Sequence, residues 1–379
     1  MSDGLEQALL TTHPESGEEV EVRVGTCGER DRAEQALLFN RCFKKRIDER
    51  ALHWRYDENP HGQAVTLLSR PAGLPGVCGY ACSPRRAVVA GDESTLALVG
   101  QTGDVMTDPD WRKRGLFSAL DRAAMAETAR RGWALAFGLP NRRSAHIFLE
   151  LGWEEVGSLR PWTFVMRADS AAWAARSTDG RLAALSTFWA ARSGAAARRR
   201  LACSGAGLRA EALEQSFPAE VLDVARTVEP RFRWMARRDP QWLTWRFLRS
   251  PSRLHRVQVL RDGAGALEGY VVIQVPRPGE GVGYLVDLLA RTQAGVDAAL
   301  AAGLAALERT GASVVQGTAI DGSWWMGQLA RAGFRPPRAE KALSVILHPH
   351  RADHPLVAAA RAPDQWYFTD GDRDDETMG

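Results

Sequence analysis

The chain repeats itself. Trp54-Arg55-Tyr56 with Pro60 is matched by Trp245-Arg246-Phe247 with Pro251, and Gly79-Tyr80 by Gly269-Tyr270, each pair opening an apolar run. Asp104-Val105-Met106 is matched by Asp287-Leu288-Leu289. A helical pattern closing on Gly132 returns as one closing on Gly311, and Leu151-Gly152-Trp153 returns as Ala332-Gly333-Phe334. The spacing between partners drifts, as a few small deletions would cause. One coincidence would mean little; five in the same order argue for two copies of one fold. A length of 379 residues suits two domains.

Within the first copy, helix and strand patterns alternate. Ala33 to Phe43 reads as a short amphipathic helix, and Val65 to Leu68 and Val77 to Cys82 as strands bounded by turn residues. Leu96 to Met106 is a longer strand whose Gly100 and Gly103 suggest a bulge or a close backbone approach. Leu116 to Arg131 is the clearest helix, with Leu116, Leu120, Ala123, Ala124 and Met125 on one face and Gly132 as its stop. A strand over Trp133 to Phe137 and a short helix over Ser144 to Leu151 follow. The expected division is a polar lead-in at 1–20, a first domain at 21–170, a helical Ala/Arg-rich connector at 171–224, and a second domain with its tail at 225–379.

Composition narrows the function classes. A net charge of +3 does not argue for a nucleic-acid partner, and the arginines of the connector read as a solvated helix face. Cys27, Cys42, Cys78, Cys82 and Cys203 form no Cys-x-x-Cys pair, so neither a disulfide framework nor a metal site is expected. His348, His350 and His354 lie among prolines and read as a surface turn. No run of 18 apolar residues and no N-terminal apolar core occur, so no membrane association is expected and cytoplasmic localisation follows.

The segment that carries chemistry is Asp104 to Ser118, a strand running through a turn at Pro109 into a basic, glycine-containing loop that opens a helix. Unsatisfied N–H groups and the helix dipole make such a terminus an anion site. Arg112, Lys113 and Arg114 are unfavourable for the dipole at that place unless an anion sits there, and Gly115 allows close backbone approach. Trp111-Arg112-Lys113-Arg114-Gly115-Leu116-Phe117 resembles the pyrophosphate loop Q/R-x-x-G-x-G/A of GNAT-superfamily N-acetyltransferases. Phe117 departs from the usual small residue, as in Eis-type tandem acetyltransferases. Pro140-Asn141 to Gly152-Trp153 resembles the downstream GNAT element N-x-x-A-x-x-x-Y-x-x-x-G-F.

The resemblance implies an α/β (α+β) chain of two tandem GNAT-like domains, each a mixed, mostly antiparallel sheet flanked by helices. It implies acetyl-CoA or another acyl-CoA as cofactor, with the pyrophosphate on Arg112, Lys113, Arg114, Gly115, Leu116, Phe117 and Ser118. The pantetheine arm would run along Gly103 to Thr107, using the backbone of Val105, Met106 and Thr107, with Asn141 and Ser144 near the thiol. The implied reaction is direct attack of a primary amine, on a small molecule, amino sugar or peptide, on the thioester. The family's tyrosine acid is replaced by Phe148. Candidates for proton handling are Asp104, Glu58 and Asp372, the last with Asp374 in an acidic tail; Asp104 recurs as Asp287, which also suits a structural role. His53, Trp54, Tyr56 and Gln101 are candidates for the acceptor wall, although the recurrence of Trp54 and Tyr56 as Trp245 and Phe247 favours packing. The second copy lacks the basic loop and is expected to bind no CoA. Two competing readings keep the fold: a transferase using an acyl carrier protein or aminoacyl-tRNA donor, and a non-catalytic acyl-CoA-binding protein.

Overall fold

A computed structural model describes residues 7–167, 180–336 and 342–373. The strands in chain order are β1 (Gln7–Thr12), β2 (Glu19–Thr26), β3 (Val65–Pro71), β4 (Cys78–Val89), β5 (Asp92–Thr107), β6 (Leu135–Gly138) and β7 (Glu154–Val165). They continue with β8 (Arg209–Leu213), β9 (Trp234–Ala236), β10 (His255–Arg261), β11 (Leu267–Gln274), β12 (Val282–Ala290), β13 (Val314–Ile320), β14 (Leu343–Pro349) and β15 (Trp366–Tyr367). Four helices punctuate the first copy: α1 (Arg32–Cys42), α2 (Glu49–Tyr56), α3 (Leu116–Arg130) and α4 (Ala145–Glu150).

The chain forms two compact units. The first comprises Met1–Ala87, Thr95–Val156 and Ser344–Arg361. Its sheet runs β1-β2-β3-β4-β5-β6-β14, with β5 and β6 parallel and β14 antiparallel to β6. Leu116, Leu120 and Ala124 of α3 pack on one face with Val22, Leu67, Tyr80, Trp133 and Ile346. Leu38 and Phe39 of α1, and Leu52 and Tyr56 of α2, pack on Leu68, Met106 and Ala81. Fully buried Arg32 ties α1 to α2 through a two-pronged pair with Asp57, at 2.6 and 2.9 Å. The polar lead-in is in part a strand: β1 hairpins onto β2 around a turn with Gly17 at φ 74°. Alternation puts Leu9 on the core and leaves Leu10 exposed, a period-two signal that the surrounding acidic residues obscure.

The second unit comprises Val88–Ser94, Gly157–Leu343 and Ala362–Gly379, and its sheet runs β7-β13-β12-β11-β10-β8. β12 and β13 are parallel, repeating the β5/β6 relation. The helix Gln293–Arg309 stands where α3 stands, and the helix Trp324–Arg331 where α4 stands. Gly132 and Gly311, at φ 78° and 85°, close the long helices; Gly152 and Gly333, at φ 94° and 93°, close the short ones. A left-handed stop at both places explains why glycine recurs there.

The units cut across a simple division at residue 170. The strand after α4 is β7, whose later part pairs with β13 in the second unit. The strand after the helix Trp324–Arg331 is β14, which pairs with β6 in the first. Strand pairing is non-local, and no local pattern reveals such an exchange. The Ala/Arg-rich stretch is helical over Gly180–Ser204, but Arg209–Leu213 is an edge strand rather than connector helix. No helix among the described residues is long and apolar enough to cross a membrane.

Candidate active site

The basic loop is built by its own backbone. Asp108 caps the helical turn Pro109–Trp111 by accepting from the Asp110 amide at 3.1 Å, and Arg41 holds its other oxygen at 3.2 Å. Trp111 is buried and anchors the turn. Lys113 and Gly115 then both adopt left-handed backbones, φ 62° and 75°, and curl the chain into α3. Nothing lies within 4 Å of a side chain at Gly115, so glycine is required there by conformation and not by space. No side chain caps α3, and its first turn holds no acidic residue. The free N–H groups and helix dipole therefore face Arg112, Lys113 and Arg114 with no internal anion. The Arg114 Nε is buried without a hydrogen-bond partner among the described residues, an arrangement that an anion would satisfy. Leu116 is itself buried, so it offers only its backbone. The loop fits a pyrophosphate.

Next to the loop the sheet forks. β5 and β6 pair from Gly100↔Ala136 to Thr102↔Gly138; there β6 ends, while β5 runs on to Thr107. Asp104 at the fork has a left-handed backbone, φ 46°. This irregularity reverses the strand's alternation. Thr102 reaches the α3 face, Asp104 turns to α2, Val105 returns to the α3 side, and Met106 packs with α1. This bulge falls at Asp104, beside Gly103, while at Gly100 an added Cβ would lie 2.5 Å from the Cys82 sulfur. Met106 is buried, so this residue can serve a ligand only through its backbone.

Asp104 is engaged rather than free. Its carboxylate pairs with Arg55 and accepts a hydrogen bond from the Tyr56 hydroxyl. Burial, then the charge of Asp104, hold Tyr56 well above the usual phenol range, so it remains a donor. The trio fastens the bulge to α2, which is the structural role that the recurrence at Asp287 favours. Trp54 and Tyr56 are 2% and 1% exposed and present no face on which an acceptor can stack. Trp54 and Tyr56 therefore pack in the core and do not belong to the acceptor wall. Gln101 is buried on β5. His53 is partly open on α2, its Nε2 3.1 Å from Glu29 and its Nδ1 3.4 Å from Asp57. Glu58 is exposed just beyond α2.

Phe148, where the family places its tyrosine, is buried and meets Phe117 and Trp153 edge-on, both at 5.1 Å between ring centroids. Phe117 thereby fills the space beneath α3. Asn141 accepts from the Arg143 and Ser144 amides at 2.9 and 3.1 Å, and shapes the turn into α4. A neighbouring polar cluster escaped the sequence reading. Asp121, buried within α3, accepts from the Tyr80 hydroxyl at 2.8 Å and from the Trp153 indole at 3.2 Å; Tyr80 also meets the Thr102 hydroxyl at 2.8 Å. Burial pushes the Asp121 carboxyl up to about 6, against the pull of those donors. The available signal was an acidic residue on the apolar stripe of an amphipathic helix.

Asp372 belongs to the second unit, where it is fully buried against Arg238 and the Thr369 amide. It faces no solvent and so cannot receive a proton from an acceptor amine; Asp374 lies outside the described residues.

Comparison with known proteins agrees with this geometry. Residues 24–156 match the family model described as an acetyltransferase (GNAT) domain. No curated protein matches the sequence. Among solved structures, a GCN5-related N-acetyltransferase from Kribbella flavida is similar, with TM-score 0.60, 14% identity, and 88% of this chain and 72% of that one covered. A probable N-acyltransferase from Enterococcus faecalis V583 gives TM-score 0.57 and 14% identity over 88% and 74%. A tandem GNAT protein from the clavulanic acid biosynthesis pathway gives TM-score 0.52 and 13% identity over 87% of this chain and 98% of that one. Residues 24–156 thus match a GNAT acetyltransferase domain, and over most of its length the chain shares its fold with these solved structures, a tandem GNAT protein among them.

Proposed function

We propose that the first unit transfers an acyl group, acetyl in the first instance, from acyl-CoA to a primary amine of a small molecule, amino sugar or peptide by direct attack. The observation that carries this reading is an uncapped helix end and a basic loop beside a forked sheet. Arg112, Lys113, Arg114 and the amides of Gly115 to Ser118 would hold the pyrophosphate. The backbone of Val105 to Thr107 would pair with the pantetheine arm, and Asn141 and Ser144 would border its thiol end. When bound, the acyl thioester supplies the electrophile. The chain's part is to orient it and to present backbone donors to the oxygen on which charge develops.

Arg55, Asp104 and Tyr56 keep the bulged strand in position for this, and Asp104 acts as a strut rather than as a base. His53 and Glu58 are the accessible ionisable groups around the end of α2 and are the candidates to receive the amine's proton. Phe148 supplies no proton, so the thiolate leaves without help from that position. The reading is tested by thermal stabilisation with CoA and acyl-CoAs of increasing chain length, followed by turnover on an amine panel. Stabilisation by acetyl-CoA with acetylation of an amine is expected. No stabilisation by any CoA would overturn the reading, and stabilisation without turnover would favour a binding protein.

A further inference from the structure

The second unit has the same fork, and the chain itself fills it. β12 and β13 pair only from Val282↔Val314 to Tyr284↔Gln316, although β12 continues to Ala290 and β13 to Ile320. The segment Trp366–Asp372 enters there. Trp366 and Tyr367 pair with β9, and the turn Asp370–Asp372 packs against both diverging strands. Asp370 accepts from the Thr318 amide of β13 at 2.6 Å and from the Thr318 hydroxyl. Thr369 donates to Asp287 of β12 at 2.6 Å, and Asp287 also accepts from Tyr270 at 2.8 Å. Arg238, fully buried, neutralises Asp287 and Asp372 together. A Cβ on Gly371 would lie 3.0 Å from Asp287 and 3.1 Å from Phe247, so either neighbour would have to give way by a few tenths of an ångström.

The helix end beside the fork is filled as well. Thr292 caps the helix Gln293–Arg309 by accepting from the Gly295 amide at 3.0 Å. Glu268 accepts from the Thr292 amide at 2.9 Å and from its hydroxyl at 2.5 Å. A Cβ on Gly295 would meet the same Glu268 oxygen at 2.4 Å, which places this carboxylate against the first turn. Where α3 is uncapped and faced by arginines, this helix holds an anion of its own. Burying the carboxylates of residues 287, 370 and 372 would be costly unless each were bonded, and each is.

We propose that the second unit is self-liganded: the segment 366–372 is the resident ligand of its strand fork and Glu268 the resident anion of its helix end, so that the chain binds one acyl-CoA rather than two. The count of one rests on the reading of the first unit's fork as the cofactor cleft.

The test uses the full chain. Native mass spectrometry with excess acetyl-CoA is expected to show one equivalent bound. Hydrogen exchange is expected to show the amides of 314–320 and 369–372 protected. Gly371→Val is expected to speed exchange in both stretches by about 100-fold or more while leaving residues 119–125 of α3 unchanged. A synthetic peptide of residues 366–373 at millimolar concentration should then restore protection at 314–320. Should Gly371→Val unfold the whole unit, the milder Thr318→Val decides, with an expected acceleration of about tenfold confined to 369–372. Two bound equivalents, or wild-type exchange at 369–372 as fast as in a free peptide, would overturn the proposal. So would Thr318→Val leaving exchange at 369–372 unchanged. Zero equivalents would instead sink the acyl-CoA reading of the first unit, and the exchange data would still decide the role of the segment.

Discussion

Arg114→Ala separates a ligand-holding arginine from a structural one. The Arg114 Nε is buried without a partner, so truncation removes an unsatisfied donor and breaks no internal bond made by that nitrogen. The ligand-free protein should melt at an unchanged or slightly higher temperature. Binding should behave oppositely. A charge-assisted hydrogen bond is worth about 1.5–3 kcal/mol. Taking about 2 kcal/mol for this half-buried group, the variant's Kd rises about 30-fold. At an acetyl-CoA concentration of about 100 times the wild-type Kd, ligand stabilises the wild type by about 2.7 kcal/mol. At that same concentration the variant keeps a ligand-to-Kd ratio of about 3 and a stabilisation of about 0.8 kcal/mol. For a unit of this size, the thermal shift should fall from roughly 5–11 °C to roughly 2–3 °C. Differential scanning fluorimetry with and without acetyl-CoA reads both numbers. An equal ligand-induced shift in the two proteins would refute the assignment, and a large drop in the ligand-free melting temperature would show that Arg114 is structural.

Four further outcomes follow from the same geometry. Asp104→Asn removes the charge of Asp104 from beside Arg55 and should cost about 2–4 kcal/mol in denaturant unfolding; unchanged stability with lost turnover would make Asp104 a base after all. Phe148→Tyr inserts a hydroxyl into the contact with Phe117 and Trp153, and should lower stability by about 1–3 kcal/mol without raising kcat; a clear gain in kcat would show that the missing acid limits the reaction. Gly115→Ala meets no clash but must hold φ 75°, so about 1 kcal/mol of stability should be lost together with acetyl-CoA affinity. Burial opposes the charge of Asp121 and pushes its carboxyl up to about 6 from the ordinary 3.8. The proton is therefore held more tightly by the folded state. The associated stability is fully present below about pH 4 and is lost as pH rises through about 6, on the order of 3 kcal/mol. Asp121→Asn should flatten this slope in unfolding measurements from pH 4 to 7, and an unaltered slope would place the proton elsewhere.

Local patterns carried the parts of this protein that are local in origin. The strand, turn, basic loop and helix from Asp104 to Ser118 were legible because φ preference, helix-end chemistry and apolar periodicity act over a few residues. The glycine stops at 132, 152, 311 and 333 were legible because a left-handed residue after a helix nearly demands glycine. Tertiary structure decided what depends on partners distant in sequence. Asp104 became a strut because Arg55 and Tyr56 arrive from α2, and Asp121 became a buried acid because Tyr80 and Trp153 close over it. The exchange of β7 and β14 between units has no local signature, since backbone hydrogen bonding does not encode which strand completes a sheet. Residues 366–372 read as acidic and aromatic in either setting; only the position of Thr318, Asp287 and Arg238 turns that charge from a solvated end into a buried ligand.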